Sequence, residues 1–489
     1  MNGGTFNAGR SLLAGSAWTV ALRWAVRGLG LVNTFVLARL LSPGDFGLVA
    51  MAMVVVGLIE VLGETGQRLA LIRMPDPTRD DYDSVWTLSI LIAVALTLLQ
   101  WAVSPLAPLY FHSDAAGWLI RLLALRTLVG GFENIGVVAF RKDLRFGADF
   151  TFQILQRLAT IAVTIGVALW LGDERALVAG ILGGRILSVA LSFVMHPYRP
   201  RWCTRRIRGL LAFSGWMLAV HVAQFVQDKA DEFVVGGVAA PAAMGSYAVA
   251  ADVATAPTIE VVLPVTRALF PVFARISADP QAVRAAYLDV FAASTIISVA
   301  TGLGMALVAE DFVRLALGPA WQQTVPLVRI LAIAGGLYGI MQTGFTVLGA
   351  VGHARLAAQL TGTRAGLTVL ALTLAGLFGS VESIAWARTA VTGLFIPGMF
   401  LALTRVLPVT LADLAARGWR PLAAAVPMAL LVPAVQAAAP DSAWLRLVLA
   451  IAAGALAYLG SLLLCWRLAG RPEGLEAMAL RRLRLLPSA

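Results

Sequence analysis

The chain has 489 residues, of which 59% are hydrophobic and 13% charged. With a mean hydropathy of +0.82, it carries too little polar surface for a soluble globule. Its formal charge of +11 comes from 36 arginines and two lysines, Lys142 and Lys229; in a membrane protein this reads as topogenic arginine at the cytoplasmic face rather than contact with nucleic acid. Two cysteines, Cys203 and Cys465, exclude a disulfide framework.

Nothing at the N-terminus resembles a cleavable signal. Residues 1–10 are polar, and the apolar segment that follows runs about 30 residues against the ~7–15 of a signal core, so the first helix is expected to stay in the mature protein. Apolar stretches long enough to span lie near 11–40, 46–71, 84–110, 117–140, 150–171 and 176–196. Six more lie near 209–239, 243–270, 286–309, 324–349, 355–378 and 382–404, and a final pair near 420–438 and 443–466. The expectation is an all-α polytopic membrane protein of about 14 transmembrane helices, each needing ~20 apolar residues. Its parts are a six-helix lobe at 1–197, a second six-helix lobe at 198–404, and helices 13 and 14 with a basic cytoplasmic tail at 405–489.

A repeat supports the two-lobe division. Ser16, Trp18, Pro43 and Gly47 punctuate the first two spans, and Ser214, Trp216, Pro241 and Gly245 punctuate spans 7 and 8, each 198 residues later. Two dozen residues separate each Trp from its Pro, enough for one membrane helix, and a further apolar helix follows each Pro-x-x-x-Gly turn. Six is an even number, so both lobes enter the membrane in one orientation, around an axis along its normal. A pair of pseudo-symmetric lobes around a central cavity, linked by residues 196–209, predicts alternating access by rocking. Arginine gathers in the even-numbered connections, as at Arg199, Arg201, Arg205, Arg206 and Arg208, which puts both termini in the cytoplasm. The tail, with Arg471, Arg481, Arg482 and Arg484, is suited to an anionic lipid surface.

Ionised side chains at mid-bilayer cost at least ~2.5–3.5 kcal/mol, so each needs a partner or a cavity. At ~100° per residue, span 1 gathers Ser16, Thr19, Arg23, Arg27, Gly30 and Thr34 on one stripe. Span 7 gathers His221, Gln224, Gln227, Asp228, Asp231 and Glu232, with Lys229 at the edge. Under the repeat Arg23 falls on His221, so the two stripes occupy related places. Two readings stand. Arg23, Arg27 and Lys229 bind an anionic head group, since guanidinium forks suit phosphate oxygens, or they neutralise the acids of span 7, Lys229 by a local ion pair. Glu60, Glu64 and Arg68 form an i, i+4 ladder in span 2 that is able to satisfy itself. Arg121, Arg126, Glu133, Arg157 and Arg185 read as snorkelling or paired within a lobe. Glu60, Asp228 and Asp252 are the candidates for coupling to a proton or sodium ion. The four histidines are too dispersed for zinc, and no phosphate-binding loop, nucleophile elbow or Cys pair gives catalysis or ATP hydrolysis a seat. No cofactor, metal site or enzyme activity is expected.

The stretch Ala38 to Leu48, reading ARLLSPGDFGL, with Glu64-Thr65-Gly66 and Leu71-Ile72-Arg73 after it, resembles the N-terminal signature of the Wzx-type polysaccharide transporters. These belong to the multidrug/oligosaccharidyl-lipid/polysaccharide exporter superfamily. The charged seventh span with its Asp-Lys-x-Asp run and the fourteen-helix layout resemble that family too. The resemblance implies a V-shaped pair of lobes in the bacterial inner membrane that flips an undecaprenyl-diphosphate-linked oligosaccharide from the cytoplasmic to the outer leaflet. It places Arg23, Arg27 and Lys229 where related lipid II flippases bind the diphosphate. Gln224, Gln227, Asn33 and Asn134 would meet the glycan, with Asp231 a further substrate-binding candidate, while the lipid tail stays in the bilayer. A monomer is expected, working beside a polymerase and a chain-length regulator. Two other readings compete. A cation-coupled drug exporter of the same superfamily would have an acid-dominated cavity, against which the span 1 arginines weigh. A polymerase or ligase would carry a large outer loop, whereas the longest here, Glu310 to Gln323, has about 14 residues.

Overall fold

The computed structural model describes residues 24–64, 66–207, 214–440 and 442–471, and every regular element among them is a helix. The chain divides into two compact units, Met1–Ala248 and Val249–Ala489. The first unit holds α1 (24–40), α2 (Pro43–Val61), the short α3 (Gln67–Arg73) and α4 (Arg79–Val103), which continues through a 3-10 turn into α5 (Ala107–Phe111). It continues with α6 (Asp114–Gly131), α7 (Val138–Lys142), α8 (Phe146–Leu171), α9 (Glu174–Met195), α10 (Ser214–Val238) and the first turns of α11 (Pro241–Ile276). The second unit holds the rest of α11, then α12 (Pro280–Ala316), α13 (Val325–Ala350), α14 (Ala354–Leu377), α15 (Val381–Val406), α16 (Leu411–Ala438) and α17 (Ala443–Leu468).

Among the described residues, 11 helices are long and apolar enough to cross a membrane, or 12 if the bent α6–α7 pair is one span. Two further expected spans fall short of that test for different reasons. The first is described only from residue 24, and α10, though 25 residues long, carries Asp228, Lys229, Asp231 and Glu232 in its second half. Helices α11 and α12 have 36 and 37 residues; at ~1.5 Å per residue each is over 50 Å long and outruns a ~30 Å hydrocarbon core.

Three boundaries differ from the hydropathy reading, each for a local reason. The expected span at 46–71 is two helices: α2 ends at Val61, Gly66 takes a left-handed φ of 71°, and α3 starts again at Gln67. The expected span at 117–140 breaks after Gly131, and the chain turns 69° into the segment Ile135–Lys142. The expected span at 84–110 begins earlier, at Arg79, because Thr78 and Asp81 form a reciprocal capping box there. The Ser-Pro-Gly-Asp turn before α2 works in the same way. Ser42 Oγ accepts from the Asp45 amide at 3.3 Å, the Asp45 carboxylate accepts from the Ser42 amide at 2.8 Å, and Pro43 occupies the first turn, where its missing N–H is not needed.

Small residues set the helix crossings, as expected where packing rather than water expulsion drives association. In the second unit Gly302 of α12 meets Gly336 of α13, and an added Cβ on Gly302 would lie 2.9 Å from the Gly336 Cα. A buried cluster including Phe273, Tyr287, Phe291, Met341 and Met399 fills the space between α11, α12, α13 and α15. Asp311 of α12, 2% exposed, pins α16 and α17 by accepting from Gln436 Nε2 at 2.8 Å and from Arg446 at 2.5 Å.

Candidate functional site

In the first unit a cavity of about 290 Å³ opens between α2, α4, α6 and α9. Its walls carry Glu60 and Glu64 near the end of α2, Arg68 of α3, Ser89 of α4, Arg126 and Thr127 of α6, and Arg185 of α9. Glycines at its edges leave room for the atoms of α4. An added Cβ on Gly63 would lie 2.7 Å from Leu96, and one on Gly131 would lie 2.6 Å from Ala93. Gly130 leaves room for the Arg185 guanidinium, which reaches 3.3 Å from the Gly130 carbonyl.

The charges pair across elements. Arg126 donates to Glu60 Oε2 at 3.1 Å, while Thr127 donates to Glu60 Oε1 at 2.8 Å and stands 3.2 Å from Gln100 Nε2. Glu133, at the break between α6 and α7 and 6% exposed, receives Arg185 at 3.1 Å and Arg68 at 3.4 Å, both on Oε2. Glu64 stands at the mouth, its side chain 61% exposed, with His221 of α10 at 3.3 Å. The expected Glu60–Glu64–Arg68 ladder is therefore not formed. The helix stops between Glu60 and Arg68, so Arg68 swings on α3 to Glu133, and Glu60 turns to α6.

The other predicted site residues are placed as follows. Arg23 lies outside the described residues. Arg27 is half-buried on α1. On α10, Gln224 and Asp228 are exposed, and Lys229 makes the local pair that the sequence left open, 2.5 Å from Glu232. Asp231, one residue before, is buried and accepts from Tyr247 Oη at 2.7 Å. Asp252 is half-buried on α11 in the second unit. Asn134 is not available to a glycan. It is fully buried and its side-chain amide donates to the carbonyls of Ser192, His196 and Tyr198.

That amide anchors the segment after α9, which lies along the start of α4. The buried Asp83 carboxylate accepts from Tyr198 Oη at 2.7 Å and from the Arg201 amide at 2.9 Å, and Cys203 donates its amide to Thr87 at 2.9 Å. Arg205 pairs with Asp80 at 3.2 Å. Burial and the bond to Asp83 push the Tyr198 phenol above its ordinary range. Burial, then Arg145 and Arg199, hold His196 below 6.5; its Nδ1 accepts from the Tyr198 amide at 3.2 Å, the neutral imidazole's role.

The two halves of the 198-residue repeat touch each other. A Cβ built on Gly47 would lie 2.5 Å from the Pro241 carbonyl carbon and 2.9 Å from the Gly245 nitrogen. One built on Gly245 would lie 2.9 Å from the Pro43 carbonyl carbon and 2.8 Å from the Gly47 nitrogen. The Pro-x-x-x-Gly turns thus pack backbone against backbone in a nearly reciprocal contact. Below it Phe225 of α10 covers Gly57 of α2, and Tyr110 of α5 stacks on Phe233 and donates to its carbonyl at 3.1 Å.

Sequence reasoning read Arg126, Glu133 and Arg185 as snorkelling or paired within a lobe, without naming the partner of any of them. One signal was available: Arg126 and Glu133 both fall within the apolar stretch 117–140, where each ionised side chain needs a partner.

A family model described as "Polysaccharide biosynthesis protein" matches residues 36–326. The teichuronic acid biosynthesis protein TuaB of Bacillus subtilis is 24% identical over 92% of this chain and 95% of its own length. The succinoglycan biosynthesis transport protein ExoT of Rhizobium meliloti is 25% identical over 78% of each chain, and the lipopolysaccharide biosynthesis protein WzxC of Escherichia coli is 23% identical over 67% of this chain and 68% of its own. The fold is that of a solved structure of the lipid II flippase MurJ in an inward closed conformation, with a TM-score of 0.74 at 16% identity, covering 91% of this chain and 98% of that one. A multidrug resistance transporter of the MATE family, inward-facing, shares it at a TM-score of 0.54 and 15% identity, over 79% of this chain and 98% of that one.

Proposed function

The chain belongs to the polysaccharide biosynthesis protein family, and from that premise we propose that it is a flippase: it moves an undecaprenyl-diphosphate-linked oligosaccharide across the bacterial inner membrane for surface polysaccharide assembly. The observation that carries the reading is the cluster of paired ionised side chains inside a bundle of apolar helices. Intramembrane charge on this scale is expensive and is kept where a polar cargo passes. A diphosphate and glycan need cations and hydrogen-bond partners, which a hydrophobic drug does not.

In this reading Arg27 and Arg23 on the first span, with Lys229, Gln224 and Asp231 on α10, meet the head group. Asp228 and Asp252 are proposed for coupling to a proton or sodium ion, and Glu60 acts in that role through Arg126, which a proton on the carboxylate would release. The two repeats form the lobes 1–197 and 198–404, and 405–489 adds the last helix pair and the tail. Both termini lie in the cytoplasm, the protein acts as a monomer without cofactor or enzymatic step, and a polymerase and chain-length regulator receive the product.

Complementation tests this. In a strain lacking its own lipid-linked oligosaccharide flippase, the protein is expected to restore surface polysaccharide, and Arg23→Ala, Arg27→Ala and Lys229→Ala variants of equal expression are expected to lose it. Failure of the well-expressed parent across several glycan backgrounds, together with sodium- or proton-dependent dye efflux, would replace the flippase by a drug exporter.

A further inference from the structure

We propose that the cavity between α2, α4, α6 and α9 is an anion-binding subsite, and that Glu60 and Glu133 are its resident counter-anions, exchanged for a phosphate or carboxylate of the cargo. The inference rests on the flippase reading only for the source of that anion.

Three guanidiniums, of Arg68, Arg126 and Arg185, reach this cavity from three different elements. Three carboxylates stand around them, of which Glu60 and Glu133 pair with the arginines and Glu64 with His221, and the pairing to arginine is thin. Arg126 meets Glu60 through one nitrogen, Nη1, and Arg185 and Arg68 each spend one Nη2 on the same oxygen of Glu133. A guanidinium offers five N–H donors in a fork built for two-point contact with carboxylate or phosphate. Among the described residues no such two-point contact is made here. All three side chains line a space of about 290 Å³, at the lower end of the ~300–1,000 Å³ typical of small-molecule sites.

The carboxylates are placed to give way. Glu60 keeps the Thr127 hydroxyl at 2.8 Å when Arg126 turns to an incoming anion. Glu133 sits at the break after α6 with its amide bonded to the Gly130 carbonyl at 3.3 Å, so only its side chain has to turn. A cation site is the weaker fit: each of these two carboxylates already faces a guanidinium, and the described residues contain no group of three metal-capable side chains. Side-chain exposure falls from Glu64 and Arg68, through Arg126 and Arg185, to Glu133 behind them, so the three guanidiniums lie between an acid at the exposed end and an acid at the buried end.

The test uses the full chain purified in detergent, titrated at constant ionic strength with inorganic pyrophosphate and, separately, with glucuronate, and read by calorimetry. Saturable binding of either supports the subsite; pyrophosphate alone points to the diphosphate as source and glucuronate alone to an acidic sugar. Arg126→Gln and Arg185→Gln are expected to weaken binding at least tenfold. Arg126→Lys, which keeps the charge and loses the fork, is expected to fall between, and separates lost recognition from lost folding. Glu60→Gln is expected to tighten binding about tenfold by removing the internal competitor. Binding of neither anion, indifference to the arginine variants, or loss of binding in Glu60→Gln would overturn the proposal. Failed complementation with binding intact would sink the flippase reading alone, and a complementing protein that binds neither anion would sink the subsite alone.

Discussion

Replacing Gly47 by alanine is expected to force apart the paired turns that begin α2 and α11. The added Cβ would lie 2.5 Å from the Pro241 carbonyl carbon, with the attached oxygen nearer still; non-bonded carbons rest at about 3.5–4.0 Å, so the two backbones must separate by about 1 Å. Neither partner is a side chain that can rotate away, which puts the cost at the top of the ~1–3 kcal/mol range for overpacking. About 3 kcal/mol is roughly a hundredfold, enough to bring a contact closed 99:1 to near parity. Ser246 reports it, because Met244 to Tyr247 form a turn buried on every side. With Cys203→Ser and Cys465→Ser in the background, Ser246→Cys should react slowly with a maleimide in detergent and about a hundred times faster once Gly47→Ala is added. Gly245→Ala should do the same. The double variant should add little, since the second methyl enters a contact already open. Gly44→Ala is the control: its Cβ would meet only Ser42 Oγ, at an ordinary 3.5 Å. Unchanged labelling and transport in Gly47→Ala would refute the reasoning.

Three further outcomes follow from pairings elsewhere. His196 is held below its ordinary 6.5 by burial first and by Arg145 and Arg199 after it; the unfolded segment therefore binds the extra proton first, and docking is complete above pH 6.5 and weakens as pH falls below it. Amide exchange in residues 197–206 should quicken over that acidic window, His196→Gln should lose the dependence, and a flat profile in the parent would contradict the assignment. Glu133→Gln leaves Arg68 and Arg185 without their carboxylate and should cost about 2 kcal/mol, below the ~3–5 of a fully buried pair because Arg68 is 43% exposed. Its unfolding midpoint should fall, and pyrophosphate should restore part of the loss. Asp311→Ala strands Arg446 and Gln436 between α12, α16 and α17 and should cost about 3–5 kcal/mol; adding Arg446→Ala should recover part of it, and strictly additive midpoints would show that the two do not interact.

Hydropathy and charge alone determined that this is a many-helix membrane chain, because a bilayer leaves a backbone almost no other way to satisfy its hydrogen bonds. The same reading found the 198-residue repeat and the Ser-Pro-Gly-Asp start of α2, since caps and turns are written in adjacent residues. Helix breaks were harder. Glycine and asparagine at 130–134 are compatible with a continuous apolar span, and only packing against α4 and α9 decides that the chain turns there. Ion-pair partners were harder still. Glu60, Glu64 and Arg68 look like neighbours on one helix face, yet the break after Val61 sends them to Arg126, His221 and Glu133, which lie 65 to 157 residues away in the chain. Sequence reports spacing along one helix, whereas a charge in a membrane is satisfied by whichever partner a neighbouring helix brings within about 3 Å. That choice, like the meeting of Gly47 with Gly245, was made by tertiary structure alone.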